Sequence, residues 1–252
     1  MAEVNLYDAK GAAKGKVALP AVFETPFRPD LIRKAVQVAR SNRRQAYGSH
    51  PMAGKRHSSE SAGKGKGVSR VPRLKQGNAA ALAPPNVGGR RAHPPESRRD
   101  WSEKINNKER KLAIASALAA AGRPELVKGR GHRVGDGVSL PIVVSDDFAG
   151  VDKTKDIIAA LVSIGLGEDL DRARDGRHER AGIGKLRGRR LKTPKSLLFV
   201  TDETVPRGLL NIPGVDVVAA RDLNTERLAP GGDAGRLLVI TESALKRIGG
   251  GA

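Results

Sequence analysis

Apolar residues recur along this chain with two different periods. Val4 to Tyr7 and Lys16 to Leu19 read as two short strands around the Gly-bearing turn Asp8 to Gly15, which predicts a hairpin. Pro29 and Asp30 suit a helix start. Leu31, Ile32, Ala35, Val36 and Ala39 then keep one apolar face, with Arg33, Lys34, Gln37 and Arg40 off it. A second helix is expected from Asn106, where Glu109 follows at capping-box spacing. Its stripe is Leu112, Ala115 and Ala119, with Ile114, Leu118 and Ala121 beside it, and Gly122 and Pro124 end it.

From residue 141 the rhythm becomes strand, helix, strand. Pro141 to Ser145, Ser196 to Thr201, Val215 to Ala219 and Leu237 to Thr241 are short, continuously apolar runs, as expected of strands covered on both faces. Asp152 to Ile164 reads as a helix with Ile157, Ile158, Leu161, Val162 and Ile164 inward, closed by Gly165. Val205 to Asn211 and Glu242 to Ile248 supply further helices. This alternation predicts an α/β fold: an open, mainly parallel sheet with helices on both faces.

Between the first two helices the periodicity stops. Residues 46–99 contain eight Gly and six Pro, and only Tyr47, Met52, Val68, Val71, Leu74, Leu82 and Val87 carry large apolar side chains. Such a segment buries too little apolar surface to offset the entropy of ordering its backbone. It is expected to be mobile alone and ordered on a polyanion. The hairpin and one helix before it are too small to form a separate domain, so one globular domain of residues 1–45 and 100–252 is expected, with 46–99 as an extended loop inserted in it. Fully extended, the loop would reach up to about 90 Å out and back, at about 3.3 Å per residue.

Charge now separates the possible partners. Of the chain's net +19, the insertion holds +9, from Lys55, Arg56, Lys64, Lys66, Arg70, Arg73, Lys75, Arg90, Arg91, Arg98 and Arg99 against Glu60 and Glu96. Residues 172–192 hold +7: Arg172, Arg174, Arg177, Arg180, Lys185, Arg187, Arg189, Arg190 and Lys192 against Asp175 and Glu179. The other 177 residues carry only +3. Two concentrated basic blocks on a nearly neutral chain are the electrostatic footprint of a nucleic-acid binder. A membrane surface would need a basic amphipathic helix with large apolar anchors, and neither block offers one. No run approaches the roughly 20 apolar residues that span a bilayer. The absence of Cys excludes disulfides and thiolate zinc sites and fits a reducing cytoplasm.

Catalytic motifs do not survive a count of their spacing. Gly63-Lys64-Gly65-Lys66-Gly67 has Val68 where a dinucleotide fingerprint needs its third Gly; Gly182, Gly184 and Gly188 miss it by one residue. Leu186 follows Gly184-Lys185 where a P-loop requires Ser or Thr. His50, His57, His93, His132 and His178 lack metal-ligand spacing, so no metal and no cofactor is expected. His50, His57 and His93 lie in the insertion, suited to contact with phosphate or bases. The alternative is a basic α/β RNA-processing enzyme holding a divalent metal on Asp146, Asp147 and Asp202, which follow two of the expected strands. The simpler reading gives these Asp residues to helix caps. Gly lets backbone approach phosphate closely, and Arg pairs with phosphate and stacks on exposed bases. With Tyr47 as the one aromatic residue of the insertion, shape and phosphate contacts should dominate over stacked bases.

Leu19-Pro20-Ala21-Val22-Phe23-Glu24-Thr25-Pro26-Phe27-Arg28-Pro29-Asp30-Leu31-Ile32 resembles the N-terminal signature of the universal large-subunit ribosomal protein family called L-four, in its archaeal and eukaryotic branch. The likeness continues through Gly63 to Arg73, Gly88 to Pro95, Asn106 to Arg110, Leu228 to Gly232 and Gly235 to Leu245; His93-Pro94-Pro95 and Leu228 to Gly232 look archaeal. Gln76 to Asn86, rich in Ala, matches less well. The resemblance implies a non-enzymatic constituent of the large ribosomal subunit. Its partners would be 23S-type ribosomal RNA, neighbouring ribosomal proteins and the nascent peptide, with no role for DNA. The long loop would thread through RNA, and its tip, Gly63, Lys64, Gly65, Lys66, Gly67, Arg70 and Arg73, would help form the exit-tunnel constriction. Lys64 and Lys66 stand where Arg is common in the family, which favours phosphate contacts over bidentate base contacts. The expected RNA contacts are therefore Arg43 and Arg44 at the end of the first helix, His93, and the bases of both blocks named above other than Arg180.

Overall fold

A computed structural model describes residues 3–135, 137–203 and 205–250. Its strands, in chain order, are β1 (Glu3–Tyr7), β2 (Ala13–Ala18), β3 (Ser59–Glu60), β4 (Arg73–Leu74), β5 (Ile142–Val144), β6 (His178–Glu179), β7 (Leu191–Lys192), β8 (Leu198–Thr201), β9 (Asp216–Ala219) and β10 (Leu238–Thr241). The helices are α1 (Pro29–Asn42), α2 (Asn107–Ala121), α3 (Pro124–Gly129), α4 (Thr154–Ile164), α5 (Gly167–Asp175), α6 (Arg207–Leu210), α7 (Thr225–Leu228) and α8 (Glu242–Gly250). The chain divides into two compact units, Met1–Arg40 with Lys104–Ala252, and Ser41–Glu103.

The larger unit is built on a six-stranded sheet in the order β2-β1-β5-β10-β8-β9. β2 is an antiparallel edge strand; every other neighbouring pair is parallel. The register aligns Leu6, Val143, Ile240, Val200 and Val218 in one row across the sheet, and Ile142, Val239, Phe199 and Val217 in the next. Successive strand residues point to opposite faces. The first row meets Ile32 and Val36 of α1, Ala117, Leu118 and Ala121 of α2, Leu228 of α7, and Ala244 and Leu245 of α8. The second meets Val127 of α3, Ile157, Leu161 and Ile164 of α4, Leu170 of α5 and Leu209 of α6, with Phe148 and Phe199 stacked at 5.3 Å. Two apolar layers explain why β5, β8 and β10 read as unbroken apolar runs: every residue of these three strands is buried.

The expected hairpin, the first two helices and the four later strands are all present, the strands trimmed by one or two residues. The faces of two helices differ from the pattern read above. In α2 Leu112 is exposed, and the buried stripe is Ala113, Ser116, Ala117 and Ala120 with their neighbours. Where almost every position is Ala or Leu, periodicity cannot choose a face. The small side chains pack closely, and the Ser116 hydroxyl accepts a hydrogen bond from the Arg28 N–H (2.7 Å) and donates to the Pro26 carbonyl (3.1 Å). In α4, Ile158 and Val162 face outward, while Ala160 is buried beside Ile157, Leu161 and Ile164. The capping box does not form: the Asn106 side chain makes no cap, and Glu109 is drawn to Lys34 of α1, 2.9 Å from its Nζ. α3, α5 and α7 were not anticipated; they are short, and α5 mixes four acidic with two basic residues.

A buried polar network ties the ends of these elements together. Asp169 of α5 has no exposed surface and accepts hydrogen bonds from Ser196 Oγ (2.6 Å), Arg172 Nε (2.9 Å) and the Arg133 N–H (3.1 Å), with His132 Nδ1 at 3.1 Å. The Ser196 carbonyl in turn accepts from Arg236 Nε (3.0 Å). Arg236, itself buried, pairs at 2.8 Å with Asp216 at the start of β9. Burial alone would raise the Asp169 pKa, but the bonds from His132, Arg172 and Ser196 outweigh it and hold the carboxyl well below the usual carboxylate range.

A carboxylate depressed in the folded state stabilises the fold above its unfolded pKa of about 3.9, and that contribution is lost as pH falls through the folded value. Replacing Asp169 by Asn should therefore cost about 3–5 kcal/mol at pH 7, because it leaves Arg172 and the neighbouring donors without their charge partner. Thermal or urea unfolding of both proteins between pH 7 and pH 2 should show the difference narrowing below about pH 4.

Candidate nucleic-acid interface

The smaller unit, Ser41–Glu103, opens where α1 ends. Asn42 and Glu103 bind each other reciprocally: Asn42 Nδ2 donates to the Glu103 carbonyl (3.1 Å), and the Glu103 N–H donates to Asn42 Oδ1 (2.8 Å). Ser41 Oγ donates to the Trp101 carbonyl (2.5 Å). The guanidiniums of Arg44 and Arg99 lie over the Trp101 ring, 4.0 and 4.6 Å from its centroid. Farther out, the outgoing and returning arms touch through backbone. The Ser49 N–H donates to the Pro95 carbonyl at 2.8 Å. A Cβ on Gly48 would overlap the backbone of Pro95, Glu96 and Ser97, so glycine here serves close approach. The arms enclose a cleft of about 710 Å³ lined by His50, Lys55, Arg90, Arg91, Arg98 and neighbouring residues.

The distal part is a small ribbon. β3 and β4 pair antiparallel, Ser59 opposite Leu74 and Glu60 opposite Arg73. Beyond them Ser61 Oγ donates to the Arg70 carbonyl (3.0 Å), so residues 61–70 close into a loop that carries the Gly-rich motif. Gly63, Gly65 and Gly67 all have positive φ (75°, 82° and 64°), with open space where a Cβ would stand. These glycines serve backbone curvature. The Ala-rich stretch folds back on the ribbon: the Ala81 N–H donates to the Pro72 carbonyl (2.8 Å), and the Leu74 N–H to the Ala79 carbonyl (2.9 Å). Ala81 is the one buried residue in Ser41–Glu103.

The second basic block belongs to the larger unit. Arg172 and Arg174 close α5, and β6 and β7 form a two-stranded ribbon with His178 opposite Lys192. Arg180 steadies the ribbon through its N–H to the Arg190 carbonyl (2.8 Å) and its Nε to the Arg189 carbonyl (3.1 Å). Its outer turn, Ile183–Arg187, exposes Ile183 and Leu186 beside Lys185 and Arg187.

The expected contact residues therefore fall into two groups. Several already hold structure: Arg172 binds Asp169 and the Lys195 carbonyl, Arg174 pairs with Asp171 and Asp175, Arg73 donates to the Asn78 carbonyl and to Ser69 Oγ, and Arg56 contacts the His50 ring. Arg190, Lys75 and Arg98 meet Glu179, Glu60 and Glu96 at 3.5 to 3.8 Å on the surface. Among the described residues, the cationic groups of Lys55, Lys64, Lys66, Arg70, Arg90, Arg91, Arg177, Lys185, Arg187, Arg189 and Lys192 have no hydrogen-bond or ion-pair partner. His93 is exposed and Arg43 lies at the end of α1.

The carboxylates of the alternative reading do follow sheet strands, but two of the three, Asp146 and Asp202, serve helix α8. Asp146 accepts hydrogen bonds from the N–H (3.0 Å) and hydroxyl (2.7 Å) of Ser243 in its first turn, and Asp202 pairs with Arg247 at 2.6 Å. Among the described residues no three His, Asp or Glu side chains gather where they could hold a metal. Two of the three carboxylates that reading needs are thus engaged, Asp146 at the start of α8 and Asp202 in a surface ion pair.

Trp101 was missed by sequence reading, though a lone Trp next to basic residues was a signal. Asp169 was missed as well, since three of its partners, His132, Arg133 and Ser196, lie 27 to 37 residues away along the chain. A Gly48→Ala substitution should part the two arms without altering the larger unit's core; amide exchange at Ser49 should accelerate at least tenfold while amides of β8 and β10 keep their protection.

Comparison with known proteins is consistent along the chain. The family model for the Ribosomal protein L4/L1 family matches residues 17–251. The large ribosomal subunit protein uL4 of Methanococcoides burtonii is 48% identical over 252 residues, covering 99% of each chain. That of Halorubrum lacusprofundi is 47% identical over 244 residues, covering 97% of this chain and 98% of its own. That of Thermoplasma acidophilum is 43% identical over 247 residues, covering 98% and 97%. On this match, which runs through both basic blocks, the chain belongs to the Ribosomal protein L4/L1 family, whose members are structural constituents of the ribosome and not enzymes.

Proposed function

We propose that this large-subunit ribosomal protein binds 23S-type ribosomal RNA through both basic blocks, with residues 46–99 penetrating the RNA and the tip around Gly63 to Arg73 lining the nascent-peptide exit tunnel. In this reading residues 1–45 and 100–252 act as the globular body, on the cytoplasmic ribosome, in contact with neighbouring ribosomal proteins. No cofactor takes part.

One observation carries the reading. Ser41–Glu103 holds a large excess of cations and a single buried residue, so its charge has no internal counterweight and its backbone no core. RNA phosphates supply both deficits. Each phosphate neutralised releases condensed counterions, and the resulting gain offsets ordering costs of roughly 1–2 kcal/mol per residue fixed. At the tip, three left-handed glycines leave the backbone on either side of Lys64 and Lys66 free of side chains, so these ammonium groups and the peptide N–H groups can meet phosphate together. The turn Ile183–Arg187 offers the body a second grip, where Lys185 and Arg187 sit beside exposed Ile183 and Leu186.

Sedimentation of lysate from the source cell tests the reading directly. The protein should travel with large subunits at near one copy each, and a mostly free soluble pool would count against it. In binding assays with large-subunit ribosomal RNA, Lys64→Gln and Lys66→Gln should each lower the slope of log affinity against log salt by about one, with little change in melting temperature. Crosslinks from Lys64 and Lys66 to tunnel-wall RNA, and from the tip to a stalled nascent chain, would locate the loop. Crosslinks confined to the subunit surface would remove the tunnel role.

A further inference from the structure

The neck of the smaller unit contains an arrangement that neither its packing nor its charge explains. Arg44 leaves on the outgoing arm and Arg99 returns on the other, and both guanidiniums rest over the one Trp101 ring at 4.0 and 4.6 Å. By these two distances the guanidiniums lie no more than about 8.6 Å apart, two like charges held on one ring. No carboxylate pairs with either among the described residues. The adjacent Asp100 is spent on the N–H and hydroxyl of Ser102, which hold its carboxyl below the ordinary range.

What the ring covers is only one face of each guanidinium. Their N–H groups lie in the guanidinium plane, and none has an acceptor among the described residues. The Trp101 Nε1–H is likewise sealed from solvent without an acceptor. The neck is therefore rich in fixed donors and lacks acceptors. Stacking on the indole also limits the rotamers of both Arg side chains, so less freedom is lost when a ligand arrives. A planar, multi-donor cation suits the tetrahedral oxygens of a phosphodiester, which accept bidentate bonds from Arg.

We infer that Arg44, Trp101 and Arg99 form a phosphate clamp: one RNA phosphodiester at the edge of the ring binds both guanidiniums, supplies the acceptors they lack and joins the outgoing and returning arms. Trp101 is the positioning residue, and the two Arg side chains are the contacts. The clamp rests on the RNA-binding role proposed above and gives the neck a function of its own, apart from the tip.

Trp101 is the only tryptophan in the chain, so its fluorescence reports on this site alone. Titrating the full-length protein with large-subunit ribosomal RNA, excited at about 295 nm where tryptophan is read selectively, should shift the emission and saturate with binding. Arg44→Gln and Arg99→Gln should each weaken RNA affinity about three- to tenfold and reduce the salt slope by about one; the double variant should lose little more than either alone, because one shared phosphate is the ligand. Arg44→Lys, which keeps charge without the fork, should recover only part of the loss. Trp101→Phe should retain most affinity and Trp101→Leu should not, with thermal transitions checked for both. If the wild type binds RNA while its emission stays fixed and the double variant binds equally well, the clamp is wrong and the RNA-binding role stands. If the wild type binds no RNA, both are wrong.

Discussion

The smaller unit cannot neutralise itself, and this constraint shapes the rest of the molecule. Between Ser41 and Glu103 only Glu60, Glu96, Asp100 and Glu103 oppose thirteen Lys and Arg, and Asp100 is already committed to Ser102. The larger unit treats charge differently. Asp169 and Asp216 each gather several donors, and Arg236 is matched to Asp216 although almost none of it is exposed. One unit is electrostatically closed and stands on an apolar core; the other is open and stands on backbone contacts between its arms.

Glycine has opposite roles in the two halves of the basic loop. Gly48 is needed because another strand of backbone occupies the space a side chain would take, whereas Gly63, Gly65 and Gly67 face open space. The first use fixes the arms to each other and the second leaves a surface vacant. Both produce the same composition, so a count of glycines reads them alike as irregular chain. The basic residues divide in a similar way: Arg73 and Arg172 brace the fold, and Lys64 and Lys66 do not.

Elements were legible in the sequence wherever one strong signal dominated. Nearly continuous apolar runs located β5, β8 and β10, since a strand covered on both faces leaves little room for polar side chains, and the apolar residues after Asp216 located the edge strand β9. Pro29 with the spacing of Ile32 and Val36 located α1. The signal failed where side chains were uniform, as in α2, whose Ala-rich surface could have packed on several faces until Ser116 found the Arg28 N–H and the Pro26 carbonyl. It also failed where the deciding partner was distant. Glu109 had the spacing for a cap, but Lys34 competed for it from another helix. Of the candidate interface, composition revealed its location and sign. The Trp101 stack and the division of its cations into braced and unbraced groups depend on contacts that no local pattern encodes.

The strand order also fixes a sequence of events. β10, nearly the last segment of the chain, occupies the place between β5 and β8, and β1, nearly the first, pairs with β5. During synthesis the two halves of the sheet therefore stay apart until residues 238–241 have been made, because neither β5 nor β8 has its inner neighbour before then. Pairings this distant in sequence make for slow closure. The basic loop, by contrast, is complete by residue 103. A newly made molecule thus exposes its basic segment well before its body can finish folding, and the interval between the two is set by the length of chain from residue 103 to residue 241.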